Sequence, residues 1–394
     1  MNTVQAPTAV PAPLRGVLRL PLDPLLIVAT LGLAAISLAA IGISTQDDIP
    51  GSPAYYLTRQ AIFFAVGAVL LVVISRLDYS RLRELKYVVY GFMLVLILAV
   101  LGFGSVARGS RRAIDLPFFQ VQPSELGKVL LVVALAGFVV DRSRRLRERD
   151  TTAIIVLLAL VPAAMVMIQP DLGSALVYIV IVLAVLFAAG TSWKHFAGLA
   201  ALTAGAVALS LVLAPVTGVT VLHDYQVERL TSFLHPSGDP GNAGYQQNQA
   251  GIAIGAGQKT GRGVGATQTR LNFLPEHHTD FVFAVIGERW GFVGAALVLS
   301  LYALLIWRGL RILTMSKNLY GALLAAGIVA MLMFQVFVNV GMNIGIMPIT
   351  GIPLPLMSYG GSSVLTTLIA VGLLQSIYAQ GRAAASHKGR ITAT

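Results

Sequence analysis

Long apolar runs, separated by short polar breaks, set the rhythm of this chain. They fall at about 25–44, 60–75, 87–104, 124–140, 152–168, 172–189, 196–214, 281–307, 320–341 and 362–379. Most are roughly 17–22 residues, the length at which an α-helix crosses ~30 Å of hydrocarbon. The pattern predicts an all-α integral membrane protein, a polytopic bundle of ten transmembrane helices. An even number of crossings puts both termini on one side. The first run is longer than a signal-peptide core, and Gln46-Asp47-Asp48 follow it without a small-residue cleavage site, so a retained first helix is expected. Residues 1–24 and 381–394 read as tails, and about 215–280 as one large loop between helices 7 and 8.

Composition agrees with the pattern. Hydrophobic residues make up 56% of the 394 and charged residues only 11%, whereas soluble domains carry about 25% charged residues. The net charge of +11 would suggest nucleic acid in a soluble protein. Here about two thirds of the 28 Lys and Arg lie in the N-terminal tail, alternate loops and the C-terminus. That is the asymmetry of the positive-inside rule, so no nucleic-acid partner is expected and both termini are placed in the cytoplasm. The remaining basic residues concentrate around 105–128 and 215–289, on the outer face, where an anionic ligand would account for them. The chain has no Cys, which excludes disulfides and thiolate chemistry, and its six His show no metal-ligand spacing.

Four places hold candidate chemistry. In Gln122-Pro123-Ser124-Glu125-Leu126-Gly127-Lys128, Pro123 and Ser124 suit a helix start, with Ser124 as a candidate N-cap. Glu125 and Lys128 stand at i, i+3 and can pair on one face. Such a pair either neutralises itself in lipid or offers Lys128, with nearby Arg108, Arg111 and Arg112, to a phosphate. In Gln169-Pro170-Asp171-Leu172-Gly173, Asp171 is placed to cap the sixth helix, more naturally than to act in catalysis. In Leu274-Pro275-Glu276-His277-His278-Thr279-Asp280-Phe281, Asp280 meets an apolar boundary, where a carboxylate suits general-base work, with capping of the next helix as an equal competitor. A His-His-Asp metal site is conceivable there, but adjacent His point apart and a well-placed third ligand is lacking. Finally, Asn339 to Ser363 is uncharged and full of helix breakers. Such backbone is tolerated at membrane depth where it lines a cavity or is buried in protein, and a lined cavity including Ser358 and Ser362 is expected. The glycine-dense stretch Gly251 to Gly265 lacks the strand-turn-helix context of a nucleotide loop and reads as close-packed or re-entrant backbone.

Together, GSRRAIDLPFFQVQPSELGK, QPDLGSAL, GVGATQTRLNFLPEHHTDFVFAVIGERWG and NIGIMPITGIPLPLMSYGGSS resemble the signatures of the SEDS family (shape, elongation, division and sporulation), over nearly the whole chain. TQTRLNFLPEHHTDF and MPITGIPLPLMSYGGSS are more similar to its rod-shape elongation branch than to its division branch. The resemblance implies a ten-helix peptidoglycan glycosyltransferase of the bacterial plasma membrane. Its substrate would be lipid II, a disaccharide-pentapeptide on undecaprenyl pyrophosphate, polymerised at the outer face. It implies partnership with a class B penicillin-binding protein and the elongation machinery. It makes Asp280, the Asp of the TDF motif, the essential carboxylate. Glu125, Lys128, Arg111, Arg112, Asp171, Glu276, Ser358 and Ser362 are then candidates for binding the substrate pyrophosphate or lining its cavity. A divalent cation (Mg2+ or Mn2+) fits as additional counter-charge, its ligands unassigned, and no organic cofactor is implied. The family commonly has Trp where this chain has Ala113. Lipid II flipping is the competing activity.

Overall fold

A computed structural model describes residues 22–107, 110–115, 120–202, 204, 243–267 and 273–391. It is predominantly helical. The helices are α1 (Pro24–Ser44), α2 (Tyr55–Arg76), α3 (Lys86–Phe103), α4 (Pro123–Asp141), α5 (Arg149–Ile168), α6 (Leu172–Ala188), α7 (Ala243–Gly257), α8 (Val282–Met315), α9 (Leu319–Asn343) and α10 (Gly361–Ile391). Eight of them are long and apolar enough to cross a membrane, and α6 is a shorter apolar helix. Nine of the ten expected spans therefore coincide with helices. The seventh, at 196–214, is helical as far as residue 202 and otherwise lies mostly outside the described residues.

The bundle is layered as lipid solvent demands. Helices α4, α9 and α10 are buried over most of their length and form the centre. The α2 helix packs along α10, α1 along α8, α3 along α4, and α6 against both α5 and α9. The outer helices turn large apolar side chains outward, among them Leu31, Val69, Val88, Val95, Leu157 and Phe292. In water such a surface would aggregate; in hydrocarbon it is the solvated face.

One end of the bundle is tied by charge. Asp23 caps α1, accepting from the Leu26 N–H at 2.9 Å, and pairs with Arg308 of α8. Its backbone N–H donates to Gln375 of α10 at 2.7 Å. Asp141 at the end of α4 holds Arg83 and Lys86, each at 2.9 Å. The start of α1 and the C-terminal part of α10 thus share an end, as an even number of crossings requires.

The connection between α3 and α4, on which the hydropathy pattern is silent, carries β1 (Ser105–Ala107), β2 (Ser110–Asp115) and β3 (Gln120–Val121), a small antiparallel sheet in the order β1-β2-β3. Several local expectations are corrected. The cap of α4 is Gln122, not Ser124, because Pro123 already occupies the first helical position and the Ser124 hydroxyl turns to Asp171. The stretch expected as one loop at 215–280 contains α7, and the segment expected as a C-terminal tail continues α10 as helix to Ile391.

The eighth span is broken. At Gly291 the backbone takes φ 62°, ψ −155°, splitting α8 into a buried half, in which Val282 to Arg289 are inaccessible, and a lipid-facing half that opens at Phe292. Only glycine occupies that region of backbone space without strain. A Cβ at Gly291 would also sit 2.4 Å from the Gly261 nitrogen, and one at Gly257 only 1.8 Å from the Gly287 carbonyl oxygen. Within the glycine-dense stretch, Gly257 and Gly261 thus bring their backbone directly against α8, whereas Gly251, Gly255, Gly263 and Gly265 face open space.

Within α4, Lys128 and Glu125 form the expected ion pair, with Lys128 wholly buried and Glu125 nearly so. Removing one partner of a buried pair strands the other charge, at a cost of about 3–5 kcal/mol. Glu125→Ala and Lys128→Ala should each strongly lower the thermal unfolding midpoint in detergent, and the double variant should lose less than their sum; strict additivity would show that the pair is not coupled. Gly291→Ala should destabilise by about 1–3 kcal/mol from backbone strain alone. Gly251→Ala, inside α7 where a Cβ meets open space, should keep or slightly raise the midpoint in the same melt, since Ala is the better helix former.

Candidate active site

At the end opposite Asp23, two irregular segments meet: residues 273–281, leading into α8, and 344–360, between α9 and α10. Their backbone groups are satisfied by side chains. Asn339 donates through Nδ2 to the carbonyls of Ile352 (2.9 Å) and Asp280 (3.0 Å). Asn343, one turn later, donates to the Asp280 carbonyl at 3.2 Å and accepts from the Ala284 N–H at 3.1 Å. The Ser358 hydroxyl donates to the Thr279 carbonyl at 2.5 Å and accepts from the Leu354 N–H at 2.8 Å. The Tyr359 N–H donates to the His278 carbonyl at 2.8 Å. Gln60 of α2 closes the frame, donating to the Ser358 carbonyl (3.2 Å) and accepting from the Gly360 N–H (3.3 Å). Buried amide–carbonyl bonds of this kind are costly to leave unmade, so the frame holds each segment in one path.

The frame borders a cavity of about 680 Å³ lined by Tyr55, Tyr56, Arg59, Phe63, Ala113, Asp115, Gln120, Gln122, Glu276, His278, Thr279, Asp280, Gly351, Pro353, Tyr359, Gly360, Gly361, Ser362 and Ser363. Asp280 is half-buried in its wall. The cap of α8 is Phe281, with no side-chain cap bond. Asp280 thus does not cap the helix; its carbonyl is held by the two Asn, and its side chain belongs to the cavity. Glu276 sits four residues earlier at φ 56°, a left-handed conformation costing a β-carbon residue about 1–2 kcal/mol. That conformation lets its carbonyl accept from the N–H groups of Thr279 and Asp280, each at 3.1 Å, while its carboxylate accepts from the Thr279 hydroxyl at 2.8 Å.

Positive charge reaches the cavity through Arg59, whose guanidinium lies 4.3 Å over the Tyr55 ring. Burial pushes the Tyr359 phenol up, and the neighbouring Arg59 only partly offsets this, so it remains a hydrogen-bond donor at neutral pH. Arg59 was overlooked in the sequence because it falls one residue before the second apolar run. Its signal was a cation on the outer face, where the positive-inside rule disfavours one.

The other sequence candidates sort by position. Ser362 lines the cavity and ties β3 to α10, donating to the Gln120 carbonyl at 3.0 Å and accepting from the Gln122 N–H at 2.8 Å. Ser358 is buried in the frame. Asp171 caps α6 through the Ser174 N–H (3.0 Å) and accepts from Ser124 (3.0 Å) and Gln122 (3.1 Å) with its other oxygen. It, Glu125 and Lys128 lie behind the cavity wall and are absent from its lining. Arg112 donates to the Pro170 carbonyl and is likewise not among the lining residues. Arg111 belongs to β2, its side chain beyond what is described, and Arg108 lies outside the described residues.

Known proteins share this arrangement over almost its full length. A family model described as "Cell cycle protein", covering FtsW, RodA and SpoVE, matches residues 21–383. "Peptidoglycan glycosyltransferase MrdB" of Escherichia coli is 36% identical over 358 residues, 91% of this chain and 93% of that protein. "Probable peptidoglycan glycosyltransferase FtsW" of Thioalkalivibrio sulfidiphilus is 38% identical, covering 89% of this chain and 87% of its own. A solved structure described as "Structural coordination of polymerization and crosslinking by a peptidoglycan synthase complex" superposes with a TM-score of 0.78 at 34% identity, covering 92% of this chain and 99% of that one. The rod shape determining protein RodA of Thermus thermophilus gives 0.64 at 30% identity, covering 91% and 97%. The motif resemblance, the membrane-helix fold and these matches agree: the chain belongs to the FtsW/RodA/SpoVE family of multi-pass membrane proteins.

Proposed function

We propose that this protein polymerises lipid II into β-1,4-linked glycan strands in the cavity around Asp280, at the outer face of the plasma membrane. The observation that carries the reading is a carboxylate held by its own backbone frame in a cavity that also presents a guanidinium. Lipid II carries an α-linked sugar pyrophosphate, so a β-linked product follows from one inverting displacement. Asp280 takes the proton of the acceptor 4-hydroxyl as that oxygen attacks the donor anomeric carbon, and the pyrophosphate departs with the bonding electrons. Arg59 stabilises the charge developing on that leaving group, with the Tyr359 hydroxyl a further donor. Among the described residues Asp115, Glu276 and Asp280 do not converge into one ligand set, so an Mg2+ or Mn2+ ion would be held by a single cavity carboxylate together with the pyrophosphate and would supply additional counter-charge. Lys128 is occupied by Glu125 and takes no part in this scheme. The packed centre, with Leu131, Val132 and Leu135 wholly buried along α4 below the Glu125–Lys128 pair, favours chemistry at one face over transport of a headgroup across.

Both branches of the family appear among the relatives, so the elongation role rests on the motifs TQTRLNFLPEHHTDF and MPITGIPLPLMSYGGSS. It carries with it partnership with a class B penicillin-binding protein and the elongation machinery. Rescue of rod shape in cells depleted of the elongation polymerase, without rescue of division in cells depleted of its division counterpart, is the expected pattern.

Removing a general base costs about 10²–10⁴-fold in rate. Asp280→Ala should therefore reduce glycan polymerisation from labelled lipid II at least a hundredfold while the purified protein keeps its thermal midpoint; near-normal polymerisation would remove Asp280 from the mechanism. Orientation has its own test, made simple by the absence of native Cys. A Cys at exposed Ser52, in the connection leading to the cavity, should react with an impermeant maleimide on intact spheroplasts. One at exposed Ser143, at the charged end, should react only after permeabilisation. The reverse pattern would put Asp280 in the cytoplasm.

A further inference from the structure

Beside the cavity lies a second cluster that the proposed reaction does not use. Asp48, in the connection between α1 and α2, meets His277 and His278 of the segment leading to Asp280. One ligand atom from each lies within 4.8 Å of the other two. The Asp48 Oδ2 is 3.4 Å from His277 Nε2 and 3.9 Å from His278 Nδ1. The two rings stand nearly perpendicular, at 79°. His278 borders the cavity, whereas His277 is buried behind it, 3% exposed.

His277 decides what the cluster is for. Its Nδ1 lies 3.2 Å from the Leu274 carbonyl, which can only accept, so Nδ1 carries a hydrogen and Nε2 is the ring atom left to face Asp48. That buried Nε2 has no hydrogen-bond partner. It is aimed at the Asp48 Oδ2, 3.4 Å away. Among the described residues no Lys or Arg ion-pairs with Asp48. A charge-assisted N–H···O bond would draw the pair to about 2.7–2.9 Å, shorter than the separation observed. The observed spacing is instead that of two ligands on one ion: bonds of about 2.1 Å in tetrahedral geometry separate the ligand atoms by about 3.4 Å. A ring nitrogen donating to a backbone carbonyl while the other faces the ion is also the usual outer support of a metal-bound His.

We propose that Asp48, His277 and His278 bind a divalent first-row transition cation, Zn2+ or Mn2+, at a site separate from the cavity carboxylates. Two imidazoles select such ions over Mg2+ and Ca2+, which prefer oxygen. Three protein ligands leave a coordination position open. The ion would join the α1–α2 connection to the segment that carries Asp280, two residues beyond His278, and so fix the cavity wall. The inference holds whichever reaction the cavity performs.

The test uses the full-length chain, purified in detergent without a polyhistidine tag, stripped with chelator, and then offered Zn2+ or Mn2+. After desalting, elemental analysis should find about one equivalent of Zn2+ per chain, and the ion should raise the thermal midpoint. His277→Gln and Asp48→Asn should lose both effects while melting like the stripped wild type. Millimolar Mg2+ should leave the Zn2+ in place. Wild type that retains no stoichiometric metal and shows no shift would overturn the site without reference to any variant. So would variants that bind as the wild type does, or displacement by Mg2+, which would assign the ion to the cavity carboxylates instead.

Discussion

Backbone that leaves helical geometry inside a bilayer has no water to turn to, and every carbonyl and N–H must find a partner in the protein. This constraint governs the end of the molecule where the chemistry is proposed. Asn339 and Asn343 project from one face of α9, and between them they bind the carbonyls of Asp280 and Ile352 and the first turn of α8. Ser358 and Gln60 complete the set. The Asp280 main chain is fixed this way, and the residue lines the cavity. Catalysis by a positioned base depends on that kind of rigidity, since a misplacement of about 1 Å costs orders of magnitude in rate.

Charge is arranged by the same economy of solvent. The Asp23–Arg308 and Asp141–Lys86 pairs sit at one end, near water. Deeper in, Glu125 and Lys128 neutralise each other, and Asp171 divides its two oxygens between a helix cap and the side chains of Ser124 and Gln122. These groups sit close to the cavity yet are committed to one another. That leaves Arg59, set over the Tyr55 ring and hydrogen-bonded to the Tyr359 phenol, as the described cation that meets the cavity. The arrangement separates residues that hold the wall from residues that face the cavity.

How much of this could be read from the sequence depended on the range of each interaction. The spans were legible because hydrocarbon thickness imposes a length that hydropathy reports directly. The Glu125–Lys128 pair and the Asp171 cap were legible because both are set within one helical turn. What escaped was non-local or glycine-built. Helix α7 is rich in Gly, Ala and Gln, residues that do not announce a span. It is held instead by close backbone approach to α8 and by Gln247, which donates to the Met347 carbonyl at 3.0 Å. The break at Gly291 follows the charged pair Glu288-Arg289, which a span-length hydropathy window averages away among its apolar neighbours. Asp48 and His277 are more than two hundred residues apart, so no spacing rule could join them. The carboxylate that stands beside the two His, Asp48, comes from the α1–α2 connection, which no local pattern announces.

In the proposed reaction the donor sugar pyrophosphate occupies the cavity at Asp280. A larger basin, about 1250 Å³, lies beside Arg147, Arg149 and Lys194, and among its described lining residues there is no carboxylate to act as a base. The most direct measurement places a photoreactive benzoylphenylalanine at Phe63, in the wall of the first cavity, or at Phe187, in the wall of the second, and irradiates each protein with radiolabelled lipid II. Crosslinking at Phe63 and not at Phe187, competed by unlabelled lipid II, is the predicted result. Label captured at Phe187 and absent from Phe63 would contradict the account.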